Sequence, residues 1–387
     1  MKVAVIDEQI NTSVPMLTGA HVSVREPSFC VVPDNPSQFY PAQTTQVSAS
    51  SLHGTNVTAL ISGTGAGYDG GAATAGIAPD AQVRFYAIRG NSDTERCGHV
   101  SDSDTSSEFA RAIVAAVDDG AQIISYSIGQ FLNGSEEDAI AWALHRGVIL
   151  VGALPNKSEQ LDTSAQVNGV VAVAAVDENL QPPNEDAAHG PTPYPRVTVR
   201  AAGVGMFYQG TVESGSWQTT KTDAAGTSLA TPLVAGMLAD VWSKYPKATG
   251  NQILQSLIHN TGGQDHALGY DAVLGYGLAS VVHMLKVDPT QYPDVNPLID
   301  VRADRQWIIT AEQIAQAQRP AWAPALATPS PSASVAPAVP SSSGGLGAWV
   351  WVIGGGVALL LVVVLVVVLA TRRRPDPQAP AGTHRQA

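Results

Sequence analysis

Five short, largely apolar runs constrain this chain most: VAVID (3–7), QVRFYAI (82–88), IISYSIG (123–129), VILVGAL (148–154) and VVAVAAV (170–176). Each has the length of a strand, and each lacks a continuous polar face. A strand dispenses with a polar face when both its faces are buried. The stretches between them read as helices. TSSEFARAIVAAVDDGA (105–121) opens with Thr105 and Glu108 at capping-box spacing, carries Phe109, Ile113 and Val117 down one side, and stops at Gly120. A second helix is expected from Ser135 to Arg146. Buried strands alternating with helices predict an α/β fold with a mostly parallel sheet covered on both faces. In such sheets the chemistry collects beyond the C-terminal ends of the strands.

Three polar residues near such ends stand out. VAVID closes on Asp7, and an aspartate there is ordinarily a turn residue or a helix cap. His53 lies in SLHGTNVTALISG (51–63), where small residues lead into an apolar helix, and a single histidine in that setting is ordinarily structural. Ser228 lies in DAAGTSLATPLVAGMLADVW (223–242), small and polar before the serine and apolar at near-helical spacing after it. That pattern puts Ser228 at a helix N-terminus, where backbone N–H groups lack partners and the dipole favours negative charge. Pro232 is expected in or near the first turn, where a missing N–H costs little. Alone, Ser228 reads as an N-cap. Together, Asp7, His53 and Ser228 are the three residue types that activate a hydroxyl. Serine is a poor nucleophile until an imidazole takes its proton, and a carboxylate holds that imidazole in the right tautomer. Gly54 and Gly226 leave room for close backbone approach.

The order Asp, His, Ser is that of the subtilisins, and the local stretches resemble that family. VAVID resembles its aspartate strand, HGTNV its HGTxV, and GTSLATPLVAG its GTSxATPxVAG serine motif. GIAPDAQV (76–83) and IISYSIG fall where the family has G-APxA-V and I-N-SLG. The resemblance covers nearly all of residues 1–285. It implies a subtilisin-like three-layer α/β fold and a serine endopeptidase with Asp7, His53 and Ser228 as the catalytic residues. It further implies Asn156 as the oxyanion donor, in ALPNKS where the family has AAGN. Ser127, Ile128 and Gly129 should line the substrate cleft, where an extended peptide would pair as an added strand. No metal and no other cofactor is expected. The chain departs from the family at Glu8 and Gln9, which stand in place of Thr-Gly or Ser-Gly, at Ala59 in place of glycine, and at Pro155 in place of the glycine before Asn156.

The C-terminal part speaks to compartment. Residues 348–370, AWVWVIGGGVALLLVVVLVVVLA, are 23 positions without a charge, enough to cross a bilayer as a helix. Trp349 and Trp351 mark one end, and Arg372, Arg373 and Arg374 follow the other, which orients the tail toward the cytoplasm. Upstream, RPAWAPALATPSPSASVAPAVPSSS (319–343) is too rich in Pro, Ala and Ser to build a core. The expected organisation is a peptidase domain over 1–285, a linker over 286–346, a transmembrane helix over 347–370 and a short basic cytoplasmic tail over 371–387. The domain would then be extracytoplasmic on a single-pass cell-membrane protein. This architecture is similar to that of the mycosins, the membrane-anchored subtilases of actinobacterial type VII secretion. It implies protein or peptide substrates and type VII membrane subunits as partners. The alternative is a structural component of a secretion complex with weak or lost proteolysis. A net charge of −12 argues against nucleic acid as a partner.

Counting alone leaves Cys30 and Cys97 open between one bridge and two reduced thiols. In an extracytoplasmic domain they should be bonded, tying the insertion between Asp7 and His53 to the loop after QVRFYAI. Export would also need an N-terminal signal, and MKVAVIDEQI supplies a strand instead. An upstream start is therefore expected.

Overall fold

The computed structural model describes residues 1–324 except 91–95, 102–103, 105, 130–131, 158–162, 185–193, 195 and 301–308. Seven strands form one sheet: β1 (Lys2–Asp7), β2 (Val22–Arg25), β3 (Gln82–Ala87), β4 (Ile123–Tyr126), β5 (Ile149–Ala153), β6 (Val171–Val176) and β7 (Val199–Ala202). Their order is β7-β6-β5-β4-β1-β3-β2, and every neighbouring pair is parallel. From β1 the chain builds the sheet to one side through β3 and β2. It then returns to add β4 on the other side and continues outward. The gap between the C-terminal ends of β1 and β4 is thus the topological switch, where open α/β sheets place their sites.

The missing polar face of the strands is explained by two cores. Val3 and Val5 of β1 enter one cluster with Leu52, Val57 and Ile61 of α1 (Ala49–Ser62) and Leu229, Val234 and Leu238 of a later helix, α4 (Thr227–Lys244). Ala4 and Ile6, on the opposite face, enter the other cluster with Phe109 and Ile113 of α2 (Glu108–Asp118) and Ile140 and Trp142 of α3 (Gly134–His145). Side chains alternate across a strand, so Val3–Ile6 of β1 are all apolar because neither face meets water there. A polar group at these positions would lose its water without gaining a partner, at a cost of about 1–3 kcal/mol. The sheet reaches Asp7 with its carboxylate wholly buried.

Three expectations need correction. The cap of α2 is Ser107, whose side chain accepts the Ala110 N–H at 3.0 Å. Thr105 lies outside the described residues, and Glu108 is the first helical residue rather than the third position of a capping box. The boundary at 285 falls short, because the compact unit runs from Met1 to Leu326. Ile309, Ile314 and Ala323 are buried in the α2–α3 core, the carbonyl of Ile314 bonds His145 Nδ1 at 3.1 Å, and Arg319 pairs with Asp118 at 2.9 Å. Much of the stretch read as linker therefore belongs to the folded unit. Pro232 is the sixth residue of α4, counting Thr227 as the first, and so sits in the second turn rather than the first.

Cys30 and Cys97 are bonded, with Cα atoms 4.9 Å apart. Among the described residues no helix is long and apolar enough to cross a membrane. The expected span at 347–370 lies outside the described residues.

Candidate active site

Asp7 ends β1, and its Oδ1 accepts the Glu8 N–H at 2.8 Å. The same oxygen lies 2.8 Å from Nδ1 of His53, in the second turn of α1. This helix starts sharply because Ser48 and Ser51 form a capping box, and it comes close to β1 because residue 54 is glycine. A Cβ at Gly54 would stand 2.2 Å from the Gln9 carbonyl oxygen and 2.8 Å from the Phe85 ring. Any side chain there would push His53 away from Asp7. Gln9, which replaces a glycine expected from the resemblance, is fully buried and donates to the Pro41 carbonyl at 3.1 Å. The turn after Asp7 is held by that bond, and the Asp7–His53 pair forms despite the departure.

Opposing effects act on the imidazole. Burial disfavours its charged form, but the charge of Asp7, the bond to Asp7 and the charge of Glu8 outweigh it, so the His53 pKa is raised. Glu8 is itself pushed up, first by burial and then by Asp7, against the pull of His53, Ser50 and Arg89. The Arg89 guanidinium lies 3.6 Å from the Glu8 carboxylate.

Ser228 is the second residue of α4, two positions after the Gly226 N-cap. The cap has no side chain, so Ser228 is not the N-cap that its local sequence suggested. A Cβ at Gly226 would lie 3.1 Å from Ser228 Oγ and 3.6 and 3.7 Å from Oδ1 and Nδ2 of Asn156, so hydroxyl and amide flank one point. Asn156 follows β5, and its orientation is set by Thr227. The Thr227 N–H and Oγ1 both donate to Asn156 Oδ1, at 3.0 and 3.2 Å. Thr227 Oγ1 also bonds the Leu154 carbonyl, and Tyr194 Oη donates to the Pro155 carbonyl at 2.6 Å. With Oδ1 occupied, Nδ2 is the end of Asn156 left to face the site. Pro155 therefore takes the place of a glycine without displacing the asparagine.

Ser127, Ile128 and Gly129 follow β4, and Ser127 Oγ donates to the Ser228 carbonyl at 2.9 Å. Ile128 packs in the α2–α3 core, while Gly129 is exposed. A cavity of about 370 Å³ opens beside His53, bordered by Glu8, Ser127, Ile128, Tyr208 and Lys221, and a separate one is lined by Asn156, Gly226 and Thr227. Tyr208 and Lys221 belong to an antiparallel hairpin, β8 (Met206–Thr211) and β9 (Ser216–Ala224). Asn56 pins that hairpin to α1, donating to the Gln209 carbonyl at 2.9 Å and accepting its N–H at 2.7 Å.

The structure therefore brings every expected site residue to one end of the sheet. Among the described residues no hydrogen bond joins His53 Nε2 to Ser228 Oγ. Contacts of this kind commonly tighten only when substrate is bound. Chemically, a hydroxyl at a helix N-terminus, an imidazole held by a buried carboxylate and a free amide N–H suit nucleophilic attack on a carbonyl. Sequence reasoning missed Thr227, Glu8 and the hairpin. The Trp- and Thr-rich stretch SWQTTKTDA and the turn-forming ESG before it were signals for the hairpin. Thr227 carried none beyond its place in the serine motif.

The subtilase family model matches residues 1–277. The chain is 35% identical over 207 residues to the thermostable alkaline protease of Halalkalibacterium halodurans, covering 53% of this chain and 51% of that protein. It is 28% identical over 266 residues to subtilisin E of Bacillus subtilis, covering 66% and 59%. The chain thus spans only about half to three fifths of the length of these relatives. Among solved structures, the patellamide maturation protease PatA aligns with a TM-score of 0.54 at 23% identity, over 74% of this chain and 96% of that one. Fervidolysin from Fervidobacterium pennivorans aligns with a TM-score of 0.54 at 24% identity, over 74% and 42%. At these identities the structures speak to the fold.

Proposed function

This chain belongs to the subtilase family, and from that premise we propose that it is a membrane-anchored, extracytoplasmic serine endopeptidase acting on protein or peptide substrates. The observation that carries the reading is the 2.8 Å Asp7–His53 bond at the sheet end where Ser228 Oγ and the Asn156 side-chain amide flank one point. Ser228 Oγ attacks the peptide carbonyl while His53 Nε2 takes its proton. Asp7 holds the Nδ1–H tautomer and stabilises the imidazolium. The oxyanion is received by Asn156 Nδ2 and the Ser228 N–H. His53 then returns the proton to the leaving amine, and water releases the acyl group from Ser228 by the same steps.

A fluorophosphonate probe on the full chain tests this. Covalent label on Ser228 alone is expected. A parent chain that stays unlabelled, or a Ser228→Ala variant that labels fully, sinks it.

The raised His53 pKa sets a pH dependence. The base must be neutral, so kcat/KM should rise with pH through a midpoint above the ordinary imidazole value of about 6.5. Glu8 favours the imidazolium, so Glu8→Gln should move that midpoint to lower pH. The stability counterpart has the matching sign: what His53 ionisation contributes is full below its unfolded value and lost as pH rises through its folded value. Profiles of the parent and Glu8→Gln decide, and an unmoved or upward-moved midpoint contradicts the assignment.

Anchoring rests on the uncharged run at 348–370 and on Arg372–Arg374 after it. A place beside type VII secretion subunits, as in a mycosin, rests on that architecture alone. Full-length protein should stay in the membrane pellet through an alkaline carbonate wash, and deletion of 347–370 should release it. A full chain released by the wash would end the anchoring proposal.

A further inference from the structure

In an α-helix the carbonyl of residue i accepts the N–H of residue i+4. For Ser228 that residue is Pro232, which has no N–H and whose ring crowds the i−4 carbonyl. The candidate nucleophile's own carbonyl therefore lacks the i+4 partner that the helix would ordinarily supply. A donor from elsewhere takes that place: the hydroxyl of Ser127, 2.9 Å away and on a residue only 7% exposed. Ser127 stands just past the end of β4, which pairs with both β1 and β5 inside the sheet.

We propose that Ser127 is a positioning residue whose hydroxyl replaces the N–H missing at Pro232 and so fixes the first turn of α4, and with it Ser228, against the end of β4. The inference rests on the endopeptidase reading. It assigns the Ser127 side chain a task separate from the lining of a substrate cleft. Among the described residues no other hydrogen bond joins these two elements, and this one sets their register at the reacting atom. Small displacements of a nucleophile are expensive in rate, since attack needs near-contact geometry. The proline also has a consequence for the helix. With its second-turn N–H absent, the first turn of α4 leans on an external anchor, which lets the strand end dictate where the hydroxyl points.

The test compares Ser127→Ala in two backgrounds, using the full chain and a fluorophosphonate, which does not occupy an extended peptide cleft. In the parent background Ser127→Ala should slow the labelling rate constant about fivefold, the scale of one lost neutral hydrogen bond, while the fraction that finally labels stays complete. With a peptide substrate the loss should fall on kcat and leave KM nearly unchanged. In the Pro232→Ala background residue 232 supplies an N–H to the same carbonyl, so Ser127→Ala should cost almost nothing. Equal slowing in both backgrounds overturns the proposal. So does a fall in labelled fraction at an unchanged rate, which would mark a folding role only. The same cycle in urea denaturation reads the 127–232 coupling without turnover, and additive losses there overturn the contact. A parent chain that never labels overturns the endopeptidase reading instead.

Discussion

Replacing either Ser228 or His53 by alanine is expected to remove nearly all turnover of a chromogenic peptide. The scale known for these two roles in a subtilisin is about 10⁶-fold in kcat. The reason for the size is that neither group works alone. A serine hydroxyl keeps its proton at neutral pH, and an imidazole without a nucleophile has nothing to activate. The effects should therefore fail to add, and the Ser228→Ala, His53→Ala double variant should be no worse than either single one. Asp7→Asn should cost less, about 10⁴-fold. The amide can keep the 2.8 Å contact to His53 Nδ1 but favours the tautomer that leaves Nε2 unable to accept a proton. Far-ultraviolet circular dichroism on each variant checks that the fold survives. A Ser228→Ala protein with a tenth of parental turnover would refute the assignment, as would additive losses in the double variant.

Asn156→Ala should lower kcat by about 10²–10³, or 2.7–4 kcal/mol of barrier. This is the cost of one oxyanion donor, known from the corresponding asparagine of a subtilisin. KM should change little, because charge on the carbonyl oxygen develops only on the way to the tetrahedral intermediate. Asn156 is exposed and its fixed end serves Thr227 rather than the core, so folding stability should fall by less than about 1 kcal/mol. Thr227→Val offers a partner measurement. It keeps the shape and the backbone bond to Asn156 but removes the hydroxyl bonds to Asn156 and Leu154. A smaller kcat loss in the same direction is expected, and it should largely vanish when Asn156 is already alanine. Steady-state kinetics on the four proteins are sufficient. A rise in KM at constant kcat in Asn156→Ala would show that the amide binds substrate and does not serve the oxyanion.

How much of this was legible without coordinates follows from which interactions are local. The five buried strands and helices α2 and α3 were readable to within three residues at their ends, because apolar periodicity and caps act over a turn or a pleat. β2 and β7 were not read. VSVR is only half-buried, and VRAA breaks its apolar run with an arginine whose guanidinium bonds the Ala175 and Val273 carbonyls. The C-terminal stretch to residue 324 was misjudged because proline and alanine content predicts poor self-association. It does not reveal that Ile309, Ile314 and Ala323 find a ready-made core on α2 and α3.

By itself the sequence determined the kind of sheet, since uninterrupted apolar strands leave no face for water. It also singled out the candidate reacting groups, since few contexts other than GTSLATP and HGTNV combine these residues with the glycines that close approach requires. What only the tertiary structure decided is how those groups are held. Asp7 and His53 are 46 residues apart, Ser127 and Ser228 are 101, and Asn156 and Thr227 are 71. Each bond depends on which strands are neighbours and on where the switch between β1 and β4 falls. Strand order is set by the packing of whole helices across two cores. That is a property of the assembled layers, and no short stretch of the chain carries it.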